Sequence, residues 1–428
     1  MVDSAQLSAT EIVIRRRNFI ANVFDGAFFS FGMSFVSLQT IIPVFITTIG
    51  GGNIAVGLIP VLWNVGFNLP QILIANYSQR FRIKKRLMLK TAIVQRIPWF
   101  MLALLSYYII PRVDTRPGLI LFFVIFTIAA MGGSINLPIW FDMIAKITPV
   151  GTRGRLFAIR LILGAVLGSL GGVIAKHVLD SIDFPTNFAL LFLIAFSMMM
   201  VSYSFLLILS ERRSKFRARP IHVREYVRSL PKILLDERNY RNFLIADALQ
   251  YIAATANAFF TVHAVKKFSL SASSAGTFTA IMMISMIVGN TFFGYLADRY
   301  GHRLNLILSA VVTIISCSIA LWALSVEVYY LVFVGLSFTV SLSQISRLTI
   351  IVELSAEELR PTYIALTNLI SSPFILSGIL GGWLADNFGY DIVFIISGIV
   401  GFILLLWLSL LVQEPRKLSI KNGMGILQ

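Results

Sequence analysis

Asp25 and Arg96 stand inside long apolar stretches, where a charge in hydrocarbon costs at least about 2.5–3.5 kcal/mol on insertion scales. Asp25 lies eight residues past Arg17, and Arg96 ten past Arg86. That is about 12 and 15 Å deep at roughly 1.5 Å per helical residue. Burial disfavours the charged form of an acid and a neighbouring guanidinium favours it, so a carboxylate at this depth can exchange a proton or cation as its surroundings change. The other reading is a permanent Asp25–Arg96 pair that ties two helices together. Arg160, Asp247 and Arg347 stand nearer the ends of their stretches, and Asp142 closes its own. Asp142, Arg160, Asp247 and Arg347 read as a charge lattice that gates one face, or as structural ion pairs. Gln344, one turn before Arg347 in a serine-rich stretch, makes with it a candidate anion holder.

Neutral polar residues recur at helical spacing. Asn64, Asn68 and Gln71 fall at i, i+4 and i+7, as do Ser30, Ser34 and Ser37; Gln250, Asn257 and Thr261 fall at i, i+7 and i+11. Amides are costly against lipid, so these faces turn inward, to bond neighbouring helices or to line a cavity. Trp63, Phe67 and Trp140 are the aromatics placed to stack on a solute.

Membrane helices must hold these positions. Of the 428 residues 57% are apolar and 13% charged, with a mean hydropathy of +0.82. A soluble chain would carry about 25% charged residues. Apolar runs of about 20 residues, enough to cross roughly 30 Å of hydrocarbon, recur throughout. Twelve are expected: 19–47, 54–76, 87–110, 119–144, 156–176, 188–209, 243–265, 272–296, 304–324, 328–351, 363–384 and 392–412. They are continuous rather than alternating, which argues against a strand barrel. The fold class expected is an all-α membrane protein. Ser8-Ala9-Thr10-Glu11 reads as a capping box opening a helix rather than a cleaved signal.

Lysine and arginine crowd alternate loops, so both termini and the connector are expected in the cytoplasm of a multi-pass plasma-membrane protein. The net charge of +16 then reflects basic loops beside an anionic leaflet and needs no nucleic acid. The single cysteine, Cys317, excludes an internal disulfide and a cysteine-based zinc site. Four scattered histidines give no metal signature, and no Gly-x-x-x-x-Gly-Lys loop is present, so no cofactor is called for. The expected partners are a small-molecule solute, protons and the bilayer, with the chain acting as a monomer.

The chain reads as two related halves: 1–210, a connector 211–241 carrying an amphipathic helix, 242–412, and a tail 413–428. Gly294-Tyr295-Leu296-Ala297-Asp298-Arg299-Tyr300-Gly301-His302-Arg303 echoes the stretch starting at Ala75, 219 residues earlier. Arg153-Gly154-Arg155-Leu156-Phe157-Ala158 echoes Arg360-Pro361-Thr362-Tyr363-Ile364-Ala365, each followed by a glycine pair. Repeats of this length mark two similar units with a solute path between them.

With these motifs the whole chain resembles the major facilitator superfamily of secondary transporters, whose loop signature between spans 8 and 9 matches Gly294–Arg303. The resemblance implies twelve spans in two pseudo-symmetric six-helix bundles that rock about a central site. It implies a cytoplasmic gate that includes Arg153, Gly294, Asp298, Arg299, Arg303, Glu353 and Arg360, with Asp298 stabilising the outward-facing state. The first loop copy departs from the signature, with Ala75 for glycine and Gln79 for the acid. Lys146 replaces an acid in the loop between spans 4 and 5. The function expected is transport of a small organic solute by alternating access, with proton coupling through Asp25. The alternatives are efflux of amphipathic compounds and, from another class, a non-transporting receptor or membrane enzyme. A hydrolase would need a nucleophile–base or metal constellation that the sequence does not offer.

Overall fold

A computed structural model describes residues 9–78, 81, 83–211, 237–355 and 359–416. The described residues form helices and connecting loops, with no strand among them. Ser8 of the expected capping box, residues 212–236 of the connector and the tail beyond Arg416 lie outside them. In chain order the helices are α1 (Ala9–Ser34), α2 (Ile41–Thr48), α3 (Asn53–Ser78), α4 (Lys85–Leu104), α5 (Thr115–Ile147), α6 (Val150–Ser181) and α7 (Thr186–Ile208). Then follow α8 (Arg238–Ala253), α9 (Phe260–Lys267), α10 (Ser274–Tyr300), α11 (His302–Trp322), α12 (Val326–Glu353), α13 (Arg360–Ser371), α14 (Ser377–Phe388) and α15 (Tyr390–Leu410).

Among the described residues, ten helical segments, from Lys85–Arg112 to Tyr390–Leu410, are long and apolar enough to cross a membrane. Only 22–56% of each most apolar window is buried within the protein. The remaining apolar surface needs an apolar solvent, and the chain is a multi-pass membrane protein. The first two expected spans fall on α1 with α2 and on α3.

Three of the expected spans are broken rather than continuous. The run 19–47 is interrupted between α1 and α2, 243–265 by the 3₁₀ turn Ala254–Ala258, and 363–384 by the 3₁₀ turn Ser372–Leu376, where Pro373 withdraws a backbone donor. The first two breaks begin at corresponding places, residue 35 and residue 254, again 219 apart. Breaking a helix frees backbone groups that must find other partners. The carbonyl of Gln39, in the first break, accepts from the Thr261 hydroxyl at 2.6 Å, and Thr255, in the second, donates to Ser377 at 2.7 Å.

Contacts divide the chain into two compact units, Met1–Ser37 with Leu62–Ile221 and Leu38–Val61 with His222–Gln428. In unit 1, α1 packs along α6 and α7, and α4 along α5 and α7, around Met88, Ile139, Met143, Leu156 and Leu206. In unit 2, α11 packs along α12 and α15, α10 along α12, and α8 along α15. Tyr240, Phe243, Leu306, Ile350 and Leu404 form its core. Unit 2 also holds the start of α3, whose first amides, Asn53 and Ile54, donate to the Asp386 carboxylate at 3.2 and 3.3 Å. A carboxylate suits the positive end of a helix dipole, so this contact ties α3 to the end of α14.

Candidate functional site

In unit 1, Asp25 on α1 is buried and takes three neighbours. Arg160 of α6 donates from Nη1 to Oδ2 at 2.8 Å, and Ser202 of α7 donates to Oδ1 at 2.8 Å. Arg96 of α4 comes only within 4.0 Å of Oδ1, and its Nη2 donates instead to the Ser202 hydroxyl at 3.0 Å. The expected Asp25–Arg96 pair is therefore bridged by a serine, and the close ion pair is with Arg160. Arg96 is anchored by the carbonyls of Met199, at 2.8 Å, and Ala92, at 2.9 Å. Arg160 also donates to the carbonyl of Asn22 at 2.9 Å and lies 4.5 Å over the Trp140 ring. Its route along α1 is open because residue 26 is glycine: a Cβ there would stand 2.1 Å from the Arg160 side chain.

This cluster walls a cavity of about 230 Å³ in unit 1. Asp25, Arg96 and Arg160 supply its charges, and Phe29, Trp63, Phe67, Trp99 and Trp140 much of its apolar surface. Gln95 and Asn136 add a polar edge: Thr91 donates to the Asn136 carbonyl at 2.9 Å, and the Asn136 amide donates to Gln95 at 3.3 Å. That edge depends on the close approach of α4 and α5, since a Cβ at Gly132 would lie 2.6 Å from the Gln95 Cα. The indole N–H of Trp140 is buried and has no acceptor among the described residues.

Unit 2 holds a second buried carboxylate. Asp247 on α8 accepts from Arg347 of α12 through both oxygens, Nε at 2.7 Å and Nη2 at 2.8 Å, while Ser371 of α13 donates to Oδ2 at 2.6 Å. Nη2 of Arg347 also donates to Asn368 at 3.2 Å. The space beside this pair, about 20 Å³, is lined by Gln250 among others. The sequence reading grouped Asp247 and Arg347 in one charge lattice and also offered Arg347, with Gln344, as an anion holder; the structure pairs Arg347 with Asp247 and leaves Gln344 exposed.

The remaining candidates disperse. Asn64 and Asn68 are half-buried on α3, one residue beyond the cavity-lining Trp63 and Phe67 and so about 100° round the helix from them. The side chain of Gln71 lies outside the described residues. Asn257 sits in the 3₁₀ turn between α8 and α9, and Gln344 is exposed. Asp142 pairs with Lys84, and Arg153 donates to the Thr148 carbonyl at 3.2 Å. Glu353 takes Arg416 at 2.8 Å, while Arg360 lies exposed at the start of α13. Arg303 donates to the Leu408 carbonyl at 2.9 Å, and Arg299 to the Tyr295 hydroxyl at 2.9 Å. The Asp298 carbonyl accepts from Arg416 at 3.0 Å, and a Cβ added to Gly294 would meet nothing within 4 Å.

Sequence reasoning missed Ser202, Gln95, Trp99 and Asn136, and it placed Arg160 too far from Asp25. Residue counting locates a Cα, whereas an arginine carries its charge several methylenes further on. Gly26, beside Asp25, was the local sign that a large side chain crosses α1 there. Gln95 stands one turn past Thr91, a polar pair in an apolar run that spacing alone makes visible.

Residues 243–425 match the family model described as Major Facilitator Superfamily. No curated protein matches the sequence. Among solved structures, the chain is similar to a mutant of the nucleoside transporter NupG, with a TM-score of 0.74 and 14% identity over 92% of this chain and 100% of that one. A D-xylose-proton symporter gives 0.68 and 14% over 94% and 99%. An inward-facing bacterial homologue of the human lysosomal transporter Spinster gives 0.67 and 12% over 96% and 98%.

Proposed function

We propose that this chain is a member of the major facilitator superfamily and a secondary transporter that carries a small organic solute across the membrane by alternating access. The observation that carries the reading is the unit 1 cavity, where a buried carboxylate and two guanidiniums face aromatic and amide side chains. Ions are expensive at this depth, and a cavity gives them work beyond holding helices together. In this reading the twelve runs form two six-helix bundles in the plasma membrane, with both termini cytoplasmic and the protein working as a monomer. Asn64, Asn68 and Gln71 in unit 1, and Asn257 in unit 2, are the polar residues this reading assigns to the solute, each within its own unit. The broken helices around residues 35 and 254 supply backbone groups that a continuous helix would keep to itself. Asp142, Arg153, Asp298, Arg299, Arg303, Glu353 and Arg360, all toward helix ends, are assigned in this reading to the cytoplasmic gate.

Asp25 is the coupling residue in this reading: when access changes, a proton replaces Arg160 as the partner of its carboxylate. The test is flux into proteoliposomes of the full-length protein, with a panel of nucleosides, sugars and organic acids, with and without a pH gradient. Saturable uptake of at least one solute is expected. Asp25→Asn should keep solute counterflow yet lose acceleration by the gradient. No carrier-mediated flux of any solute would sink the transporter reading, and an unchanged pH response in Asp25→Asn would remove the coupling role.

A further inference from the structure

We infer that the unit 1 cavity takes a small organic anion with a flat apolar body, of the size of a one-ring carboxylate. The inference rests on reading that cavity as the solute site. Its titratable lining is Asp25, Arg96 and Arg160, one negative group against two positive ones. A buried cation left without a counter-ion is costly, so the walls are short of one negative charge. The surplus has donors attached. The hydrogen bonds of Arg160 all leave from Nη1, so Nε and Nη2 have no acceptor among the described residues. Trp140 is 7% exposed, lines the cavity, and its indole N–H has no acceptor among the described residues.

A cationic solute would find little here. Asp25 already accepts from Arg160 and Ser202 with Arg96 close by, and the side-chain carbonyls of Asn136 and Gln95 each already accept a hydrogen bond. The rest of the surface is flat and aromatic, from Trp63, Phe67 and Trp99. A volume of about 230 Å³ equals on the order of eight waters at roughly 30 Å³ each, room for one ring and one carboxylate.

The test uses the full-length protein in nanodiscs and three probes of one shape: benzoate, the neutral benzamide and the cationic benzylammonium. Affinities are read by calorimetry, and flux of the same probes is followed in proteoliposomes. Benzoate should bind about tenfold more tightly than benzamide, with benzylammonium weaker still, because a hydrogen bond to a charged partner outweighs one to a neutral partner. Trp140→Phe keeps a ring under Arg160 but deletes the donor, and should weaken benzoate roughly tenfold while the unfolding temperature holds. Equal affinity for all three probes, preference for the cation, or displacement of benzoate by chloride at equal concentration would overturn the inference. Flux of some other solute, untouched by benzoate and by Trp140→Phe, would also overturn it and leave the transporter reading standing. The expected binding order with no flux of any solute would do the reverse.

Discussion

Asp25 and Asp247 occupy the first long helix of their halves, each buried and each bonded by a serine and an arginine. The arginines do not correspond. Arg160 reaches Asp25 from the fifth expected span, passing over Gly26, whereas Arg347 reaches Asp247 from the tenth, and the position after Asp247 is Ala248. The outcomes differ as well. Arg347 meets both oxygens of Asp247, and the space beside the pair is about 20 Å³. Arg160 meets one oxygen of Asp25, Arg96 adds a second positive charge, and the adjoining cavity is about 230 Å³. A neutral, fully bonded, tightly packed pair holds helices together. A cluster with surplus charge beside an open space is suited to binding. Under the proposed reading, a buried acid thus serves packing in unit 2 and binding in unit 1.

The largest test of that contrast is Arg347→Met. Removing one partner strands the buried Asp247 carboxylate, a loss of about 3–5 kcal/mol that should appear as a lower unfolding temperature in nanodiscs. The double change Asp247→Leu with Arg347→Met should recover most of it, since apolar residues of similar volume often replace a buried ion pair without net cost. Transport by the double variant at near parental rate would mark unit 2's cluster as structural; stability recovered with transport abolished would erase the contrast. Arg160→Met should cost less, about 1–3 kcal/mol, because Ser202 still donates to Asp25 and Arg96 lies nearby. Its main effect should fall on solute affinity. Gly26→Ala forces Arg160 off its path at about 1–2 kcal/mol, the ordinary cost of overpacking. It should shift solute affinity in the same direction as Arg160→Met, and an unaltered affinity would mean that Arg160 can reach Asp25 another way.

Hydropathy made the spans legible, because apolar length is all that a membrane crossing requires. The breaks were not legible. Nothing in Phe35-Val36-Ser37-Leu38 interrupts an apolar pattern, and the cost of breaking α1 is met by partners far along the chain, such as Thr261 for the Gln39 carbonyl. Asp25, Arg96, Trp63, Phe67 and Trp140 stood out because ions and large aromatics in apolar runs are costly or conspicuous. Ser202 did not, since one serine among many on membrane helices carries no signal until its Asp25 contact is seen. The amide stripe on α3 was read from spacing alone, and spacing fixes which residues share a face without fixing what that face meets.

The smallest predicted effect concerns a second pair of acids, which the sequence reading passed over. Glu211 follows α7, and its Oε2 accepts the backbone amides of Lys84 and Lys85, both at 2.7 Å, at the start of α4. Glu414 follows α15, and its Oε2 accepts the amide of Arg303 at 2.9 Å, at the start of α11. Both place a carboxylate on the positive end of a helix, but Glu211 also holds Lys146 at 2.8 Å through Oε1, while Oε1 of Glu414 has no partner among the described residues. Glu211→Gln should therefore cost about 1–2 kcal/mol and Glu414→Gln about half as much, read by thermal unfolding. Burial holds Lys84 below the ordinary lysine pKa, with Glu211 opposing that shift and Lys146 adding to it. The folded state thus binds fewer protons than the unfolded one, so stability rises with pH from the depressed Lys84 value up to 10.5. Removing the Glu211 charge should lower the Lys84 pKa further and widen that rise. A pH–stability profile identical to the parent's would show that Glu211 acts on α4 through its hydrogen bonds and not through its charge.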